Sequence, residues 1–447
     1  MIEKILIANR GEIAVRVIRA ARELGIQTVA VYSVSDKDAL HVQLADEAIC
    51  IGPDNIKDSY LNPYTILSAA YITGANAIHP GYGFLSENPK FVRMCQKSNL
   101  IFIGPDSSAM EKMGDKLYAR RLMTQADVPV IPGTLEEIQS PEMAEKWAEK
   151  LGYPVMIKAA AGGGGRGIRK ITCKEEVEAA FLSAKAEAEG AFGDGRLYME
   201  KCMENARHIE VQILCDLFGN AVHLYERECS LQRRNQKVME EAPCIALTPE
   251  KREEIGSAAV RAAKAAEYKN AGTIEFLLDK EGNYYFMELN ARIQVEHPVT
   301  EMATGIDLIK QQIFIADGTP LGLRQEDIQL KGHAIECRIN AEDPAAGFRP
   351  CCGTIEVVNV PGGPNVRFDS LIYSGYQVLP YFDSMIGKLI VMDETRDMAM
   401  AKMRSALTEL VVEGIETNID FQLDLLTNEK VIKGELDTGL ISRIMEE

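Results

Sequence analysis

The sequence predicts a mixed α/β (α+β) protein of about three domains: an N-terminal parallel sheet, a central part with a mobile glycine-rich lid, and a β-rich C-terminal part. Three observations predict it. The chain has 447 residues, too many for one core at ~150 residues per domain. Its first ~110 residues alternate short apolar runs with an amphipathic helical pattern, the signature of parallel strands with helical crossovers. Beyond Tyr153 strand signals recur, with a hairpin at Glu275/Glu288, and from Gly332 to about Met392 short strands alternate with Gly/Pro turns.

The elements follow in order. Lys4–Ala8 reads as a strand, Glu12–Leu24 as a helix and Gln27–Tyr32 as a strand; Asn76–His79 and Leu100–Gly104 are further strands. The first turn, Asn9-Arg10-Gly11-Glu12, is not Gly-x-Gly-x-x-Gly, so a dinucleotide site is not expected. The loop His79-Pro-Gly-Tyr-Gly-Phe-Leu-Ser-Glu87 follows a strand's carboxyl end, where α/β proteins place ligands, although a plain Pro/Gly turn fits that segment equally well. Asp115 and Lys116 open a helix reaching Gln125, and Pro129 and Pro132 mark a hinge. A strand ending in Lys158 leads into Ala159-Ala-Ala-Gly-Gly-Gly-Gly-Arg-Gly167. Consecutive glycines cost backbone entropy but let N–H groups approach an anion closely, so this stretch reads as a phosphate-covering lid. It is not a P-loop, because Gly-Lys-Ser/Thr is absent. Strands are expected at Leu197–Met203 and His208–Leu214, and a helix at Pro249–Tyr268. The basic run Glu226–Lys237 fits a solvated face or an anion pocket. From Gly332 a strand, short strands with Gly/Pro turns, a helix over Arg396–Leu410 and a final helical segment complete the chain.

The chemistry concentrates in Tyr284–Met302. From Glu288 the even positions are Glu288, Asn290, Arg292, Gln294 and Glu296, and the odd ones are apolar. Alternation of this kind is a strand with one face on a core. A polar row of ~27 Å at ~3.3 Å per residue is long for one strand, so the chain should leave the sheet after Asn290. Acid, amide and guanidinium side by side suit a metal, a small oxyanion and a general base. Glu275 lies in an apolar strand, where a lone carboxylate is expensive to bury. A hairpin with the loop Lys280–Asn283 would pair Asp279 with Tyr284 and Glu275 with Glu288. Two carboxylates and the Asn290 amide facing one spot suit Mg²⁺, which combines few protein oxygens with phosphate oxygens.

Composition narrows the partners. With 49 basic and 66 acidic residues the net charge is −17, which argues against general nucleic-acid binding and against an anionic membrane surface. No apolar run approaches the ~20 residues that span a bilayer. The opening residues enter a strand at once, so no signal peptide and a cytoplasmic location are expected. The 10 cysteines contain no Cys-x-x-Cys pair, which fits reduced, mostly buried thiols and no zinc.

Five motifs carry a family resemblance: Ala8-Asn-Arg-Gly-Glu-Ile-Ala14, His79–Asn88, Gly162-Gly-Gly-Gly-Arg-Gly167, Glu288–Met302 and Glu336-Cys-Arg-Ile-Asn-Ala-Glu-Asp343. With them nearly the whole chain resembles the biotin carboxylases, the ATP-grasp subunit of bacterial acetyl-CoA carboxylase; the same domain occurs fused in pyruvate, propionyl-CoA and methylcrotonyl-CoA carboxylases. The resemblance implies an ATP-grasp fold with a Rossmann-like domain over 1–113, an ATP-grasp domain over 114–330 with its lid at about 131–203, and a C-terminal domain over 331–447. It implies that bicarbonate attacks the γ-phosphate of MgATP to give carboxyphosphate, and that CO₂ passes to biotin on a separate carrier protein. Biotin is then a carrier-bound substrate, not attached to this chain; Met398-Ala-Met-Ala-Lys402-Met403 has an inserted Ala relative to a biotin-acceptor Met-Lys-Met and reads as helix.

By resemblance, ATP would be held by Lys116, Lys158, Gly162, Gly163, Gly164, Gly165, Glu200, Lys201, Met203, His208, Gln232, Glu275 and Glu288. Mg²⁺ or Mn²⁺, as two ions, would be held by Glu275, Glu288 and Asn290. Lys237, Arg292, Gln294 and Val295 would surround bicarbonate, with Glu296 as its base. Tyr82 would seat the biotin ureido ring and Arg338 would stabilise its enolate. The implied partners are the biotin carboxyl carrier protein, carboxyltransferase subunits and a second copy, since Arg19 and Glu23 match dimer-contact positions. Asn235, Ala161, Pro364 and Asn365 depart from the family pattern: relatives often carry His at the first and Gly at the second, and the last two replace a more apolar turn. Two rivals remain at this stage: another ATP-grasp ligase joining a carboxylate to an amine, and a nucleotide-binding scaffold without turnover.

Overall fold

The computed structural model describes residues 1–161 and 167–446. The chain begins with β1 (Lys4–Ile7), α1 (Gly11–Glu23), β2 (Gln27–Ser33), β3 (Glu47–Gly52), β4 (Ala77–His79) and β5 (Ile101–Phe102). The five strands form one parallel sheet in the order β3-β2-β1-β4-β5, so the expected doubly wound layout is present. Strand β3 was not expected; its sequence Glu-Ala-Ile-Cys-Ile-Gly is half exposed and shows no clean alternation.

The loops at the carboxyl ends of β1 and β4 meet. The Asn9 amide donates to the carbonyls of Pro80 (2.8 Å) and Tyr82 (2.7 Å). Gly81 has φ +60°, and a Cβ there would lie 2.8 Å from Asn9 Nδ2, so this turn requires glycine. One contact thus explains two of the sequence motifs and fixes the start of the Tyr82 loop.

Helix α2 (Lys116–Gln125) is capped by Asp115, whose carboxylate accepts from Tyr118 N–H. A small antiparallel sheet follows, made of β6 (Val155–Ala159), β7 (Ile168–Ile171) and β8 (Leu197–Lys201), with β6 in the middle. It has its own apolar core, in which Val155, Ile157 and Met199 pack on Phe181 and Ala184 of an adjoining helix. The predicted lid tip at 162–166, including Gly162 to Gly165, lies outside the described residues.

The largest sheet has eight strands. Its members are β9 (Arg207–Cys215), β10 (Ala221–Arg233), β11 (Gln236–Ala242), β12 (Asn270–Leu278), β13 (Tyr284–Asn290), β14 (His333–Asn340), β15 (Val366–Ser370) and β16 (Met385–Asp393). Their order is β13-β12-β9-β10-β11-β14-β16-β15. The sheet therefore runs without interruption from the segment before residue 330 into the segment after it. Helices α3 (Pro249–Ala265), α4 (His297–Thr304) and α5 (Arg396–Glu409) pack against it. Met398 to Met403 lie on α5, as expected, and Lys402 pairs with Asp393 at 2.9 Å. Among the described residues no helix is long and apolar enough to cross a membrane.

One expected register needs correction. Glu275 pairs with Glu288, as read from the sequence, but Tyr284 pairs with Leu278 and not with Asp279. A bulge between Glu275 and Phe276 in the pairing absorbs one residue. The turn is held by Asp279, whose backbone N–H donates to Asn283 O and whose carboxylate accepts from Asn283 N–H, so Asp279 belongs to the loop.

Candidate active site

A row of charged side chains crosses four strands. The register aligns Arg227 on β10, Glu210 on β9, Glu275 on β12 and Glu288 on β13. Directly opposed residues share a face, so the row projects from one side of the sheet. Two positions along, Gln212, Thr273 and Asn290 form a second row. Arg227 is fully buried and donates to Gln212, Thr300, Glu210 and Thr273. The basic run containing it is a hairpin built into the site rather than a solvated face.

Glu275 is the hub. One carboxylate oxygen accepts from Gln294 Nε2 at 3.0 Å and also from the Asn290 amide; the other lies 3.0 Å from His208 Nε2. Burial pushes this carboxyl up, but Lys237 and His208 more than offset that and hold it at about 2. Gln232 lies 2.8 Å from His208 Nδ1 and orients the ring. Glu288, across from Glu275, is paired with Lys116. Burial raises its carboxyl, and Lys116 brings it below the ordinary range.

Beyond Asn290 the chain leaves the sheet, as the alternation required. Its turn brings Arg292, Gln294, Val295 and Glu296 over the end of the charged row. Arg292 Nη1 donates to Gln294 Oε1 at 2.8 Å, and its Nε reaches Glu87 at 2.9 Å. The other Glu87 oxygen accepts from Ala291 N–H at 3.0 Å. The Tyr82 loop thereby grips this segment at its far end.

Glu296 is shared between two cations. Lys237 Nζ lies 2.6 Å from Oε1, and Arg338 Nη2 lies 2.9 Å from Oε2. Lys237 also pairs with Glu210, and Arg338 Nε donates to Glu240 at 2.7 Å. Burial and the neighbouring Glu210 push the Glu296 carboxyl up; Lys237, Arg338 and Arg227 outweigh them, so it stays ionised. Burial opposes the charge on Lys237, yet three carboxylates, from Glu210, Glu296 and Glu275, hold its ammonium well above the ordinary range. Glu240 moves the other way: burial raises it despite Arg338.

On the other side, Lys158 and Arg120 both pair with Glu200, the latter at 3.1 Å. Lys116 N–H donates to Ala160 O at 2.9 Å, which ties α2 to the small sheet. Lys201 turns its ammonium to the carbonyls of Gly152 (2.8 Å) and Tyr153 (3.1 Å). Met203 follows two residues beyond the strand and is half-buried. Tyr82 donates to Glu12, and burial raises its phenol well above the ordinary value. It lines a cavity of about 240 Å³ with Glu12, Phe84, Tyr381 and Phe382.

The structure thus brings together Lys237, Arg292, Gln294, Glu296, Arg338, His208, Gln232, Glu275, Glu288 and Asn290. Sequence reading passed over Glu210, Glu240 and Glu87. For Glu210 a signal was present, since it alternates with His208 and Gln212 in a strand already identified. The two carboxylates of Glu275 and Glu288, opposed in register, are hard oxygen donors that fit Mg²⁺ or Mn²⁺; the Asn290 amide nitrogen faces Glu275 and its oxygen accepts from Arg292, so Asn290 would turn its oxygen to a bound ion. The trios His208/Glu210/Glu275 and Glu210/Cys229/Glu296 also place ligand atoms within 4.8 Å of one another. Lys237 pairs with both Glu210 and Glu296, so these trios form an ion-pair network.

A carboxylate pair beside a cluster of lysines and arginines, together with a small antiparallel sheet that contributes the Lys158–Glu200 pair, is the arrangement of an ATP-grasp enzyme. Comparison with known proteins narrows it. The family models described as biotin carboxylase N-terminal domain, carbamoyl-phosphate synthase L chain ATP-binding domain and biotin carboxylase C-terminal domain match residues 1–110, 115–324 and 336–443. Biotin carboxylase 1 of Bacillus subtilis is 56% identical over 442 residues, covering 99% of this chain and 98% of its own. The crystal structure of a Campylobacter jejuni biotin carboxylase–β,γ-ATP complex superposes with TM-score 0.96 at 51% identity, covering 99% of each chain. The biotin carboxylase domain dimer of Hydrogenobacter thermophilus 2-oxoglutarate carboxylase, in complex with MgADP, ADP and bicarbonate, superposes with TM-score 0.94 at 49% identity, covering 99% of this chain and 98% of that one. The chain belongs to the biotin carboxylase family, a family of ATP-dependent ligases.

Proposed function

We propose that this protein carboxylates biotin on a biotin carboxyl carrier protein, using MgATP and bicarbonate, as the first half-reaction of acetyl-CoA carboxylase. The observation that carries the reading is the position of Glu296, held ionised between Lys237 and Arg338 at the end of the Glu275/Glu288 pair. Lys237, Arg292, Gln294 and Val295 bind bicarbonate, and Glu296 accepts its proton. The bicarbonate oxygen attacks the γ-phosphorus, the bond to ADP breaks, and carboxyphosphate forms. Lys116, Lys158, Glu200, Lys201, Met203, His208 and Gln232 position the nucleotide, together with Gly162, Gly163, Gly164 and Gly165, which the sequence pattern assigns to it. Glu275, Glu288 and Asn290 would hold Mg²⁺ or Mn²⁺, as two ions, which would neutralise charge on the phosphate oxygens. Water must be excluded while carboxyphosphate exists, which is the purpose of a closing lid. Arg338 then stabilises the charge that appears on the biotin carbonyl as N1′ loses its proton, and Tyr82 seats the ring.

The segments 1–113, 114–330 and 331–447 act as the three parts of this machine, with carboxyltransferase subunits downstream. The enzyme works in the cytoplasm as a homodimer through Arg19 and Glu23, a reading supported by the dimer named in the Hydrogenobacter structure and by the exposed groove these residues line with Glu301 and Arg367. A second reading, service to a keto-acid carboxylase, is favoured by that same relative's being a 2-oxoglutarate carboxylase. The test of the catalytic reading is ADP release from MgATP that depends on bicarbonate and rises with free biotin. A carboxylate–amine ligase would release ADP without bicarbonate, and a scaffold would release none.

A further inference from the structure

Lys388 is the one fully buried lysine among the largest fully buried side chains. It stands on β16, paired directly with Arg338 on β14 and with Asp369 on β15. Its Nζ donates to the backbone carbonyl of Val295 at 2.7 Å and lies 3.1 Å from Glu12 Oε1. Glu12 in turn accepts from the Tyr82 hydroxyl. A single ammonium therefore touches the segment assigned to bicarbonate and the carboxylate behind the residue assigned to biotin, and it does so beside Arg338.

An ammonium is costly to bury, and an apolar side chain of that length would fill the same space at lower cost. Neutralising nearby acids is one part of its role, since Lys388 pairs with Glu12 at 3.1 Å and its charge also acts on Glu336 and Asp369. Glu336, on the same strand face as Arg338, is fully buried with neither oxygen hydrogen-bonded among the described residues. Asp369 already has Arg367 as a partner at 2.5 Å. What Lys388 supplies beyond charge is a donor held in place by burial, aimed at a main-chain carbonyl. A bond to Val295 O sets the orientation of the peptide joining Val295 to Glu296, and hence where the Glu296 side chain starts.

We infer that Lys388 is a positioning residue that holds the bicarbonate segment in register with the biotin pocket, so that CO₂ released on one side meets biotin on the other. The inference rests on the reading proposed above. Its signature is coupling: how many ADP molecules appear per biotin carboxylated. In Lys388→Met the carbonyl bond is lost and the two sites drift relative to one another. The ratio of ADP released to carboxybiotin formed should then rise about tenfold, the effect of losing one hydrogen bond of ~1.4 kcal/mol.

The experiment measures both products for the wild type, Lys388→Met, Glu12→Gln and the double variant, at saturating ATP, bicarbonate and free biotin. Glu12→Gln keeps an acceptor for both Lys388 and Tyr82 and should change the ratio by less than about threefold. The double variant buries no unmatched charge at this pair, so it carries the comparison if Lys388→Met does not fold. If Lys388 registers the two sites, the double variant keeps the raised ratio of Lys388→Met. If Lys388 is a counter-ion for Glu12 and nothing more, the double variant returns to the ratio of Glu12→Gln, and the inference is overturned. Wild-type ADP release that ignores bicarbonate would instead defeat the functional reading itself, so the two failures are told apart.

Discussion

The two pockets on either side of Glu275 use the same side-chain types and differ in how dry they are. On the nucleotide side, Lys116 and Glu288 keep 20% and 32% of their side-chain surface exposed. On the bicarbonate side, Lys237 and Glu296 keep 13% and 1%. Each lysine on the wetter side is paired with a carboxylate, Lys116 with Glu288 and Lys158 with Glu200. The Lys116–Glu288 pair is weak where water competes, so Lys116 can exchange its carboxylate for a phosphate at little cost, while Glu200, 5% exposed, keeps Arg120 as a partner when Lys158 turns to a phosphate. In the drier pocket Lys237, Glu210, Glu296, Arg338 and Glu240 are linked in one network. Removing a member there strands a charge in low dielectric. The comparison teaches that one sheet can present a pocket whose ion pairs open for a ligand beside a pocket whose ion pairs are the preorganised catalyst.

The sharpest break of this contrast is Glu296→Gln. It removes the base and leaves Lys237 and Arg338 short of a partner, so bicarbonate-dependent ADP release should fall on the order of 10³-fold. A fall of less than about tenfold would mean that the dry pocket is structural rather than catalytic. On the wetter side Glu288→Gln should act through metal. Turnover at limiting Mg²⁺ should drop roughly a hundredfold and recover in part as Mg²⁺ is raised, while thermal stability stays close to wild type because the Lys116 pair is partly hydrated. An unchanged Mg²⁺ dependence would remove Glu288 from the metal set.

The dryness itself can be tested through His79, which is fully buried at the base of the Tyr82 loop and accepts from Gly81 N–H at 3.0 Å. Burial lowers its imidazole from 6.5 to about 4. The unfolded chain takes up a proton near 6.5 and the folded one does not, so stability is present above that value and is lost as pH falls toward 4. His79→Asn should flatten this decline by about 2 kcal/mol in urea unfolding compared at about pH 7.5 and pH 4.5. Parallel pH profiles for the two proteins would show that the loop base is hydrated.

The smallest effect belongs to Asn235. Arg234 and Asn235 form the two-residue turn between β10 and β11, both with positive φ, and Asn235 is exposed. Asparagine tolerates that conformation better than most residues, which gives the departure from the family pattern a structural reason. Asn235→His adds a donor at the rim and should lower the ATP KM by no more than about threefold, with kcat unchanged. A higher KM would exclude this turn as a nucleotide contact.

How much of this was legible in the sequence follows from how local each feature is. The hairpin of Glu275 and Glu288 was readable because alternation and a turn signal lie within twenty residues of each other, yet its bulge was not, since no residue type announces it. The parallel sheet was readable from its strand–helix rhythm, except for β3, whose apolar face is only Ile49 and Ile51 in an otherwise small or polar run. The meeting of Glu296 with Arg338 joins the loop before α4 to β14, and local pattern alone cannot supply it; the family resemblance did. Lys388 had neither signal. It sits in an apolar strand like any mid-strand lysine, and its two partners come from the beginning and the middle of the chain.

The central claim is that the dry pocket separates two chemical steps, with Arg338 serving the second. Its most direct test is Arg338→Gln, assayed on one preparation for bicarbonate-dependent ADP release without biotin and for carboxylation of free biotin. Loss of the guanidinium charge is worth on the order of 3 kcal/mol, so carboxylation should fall roughly a hundredfold. ADP release should fall far less, because Lys237 remains on Glu296. Equal falls in the two rates would contradict the account and place Arg338 in phosphoryl transfer or in folding.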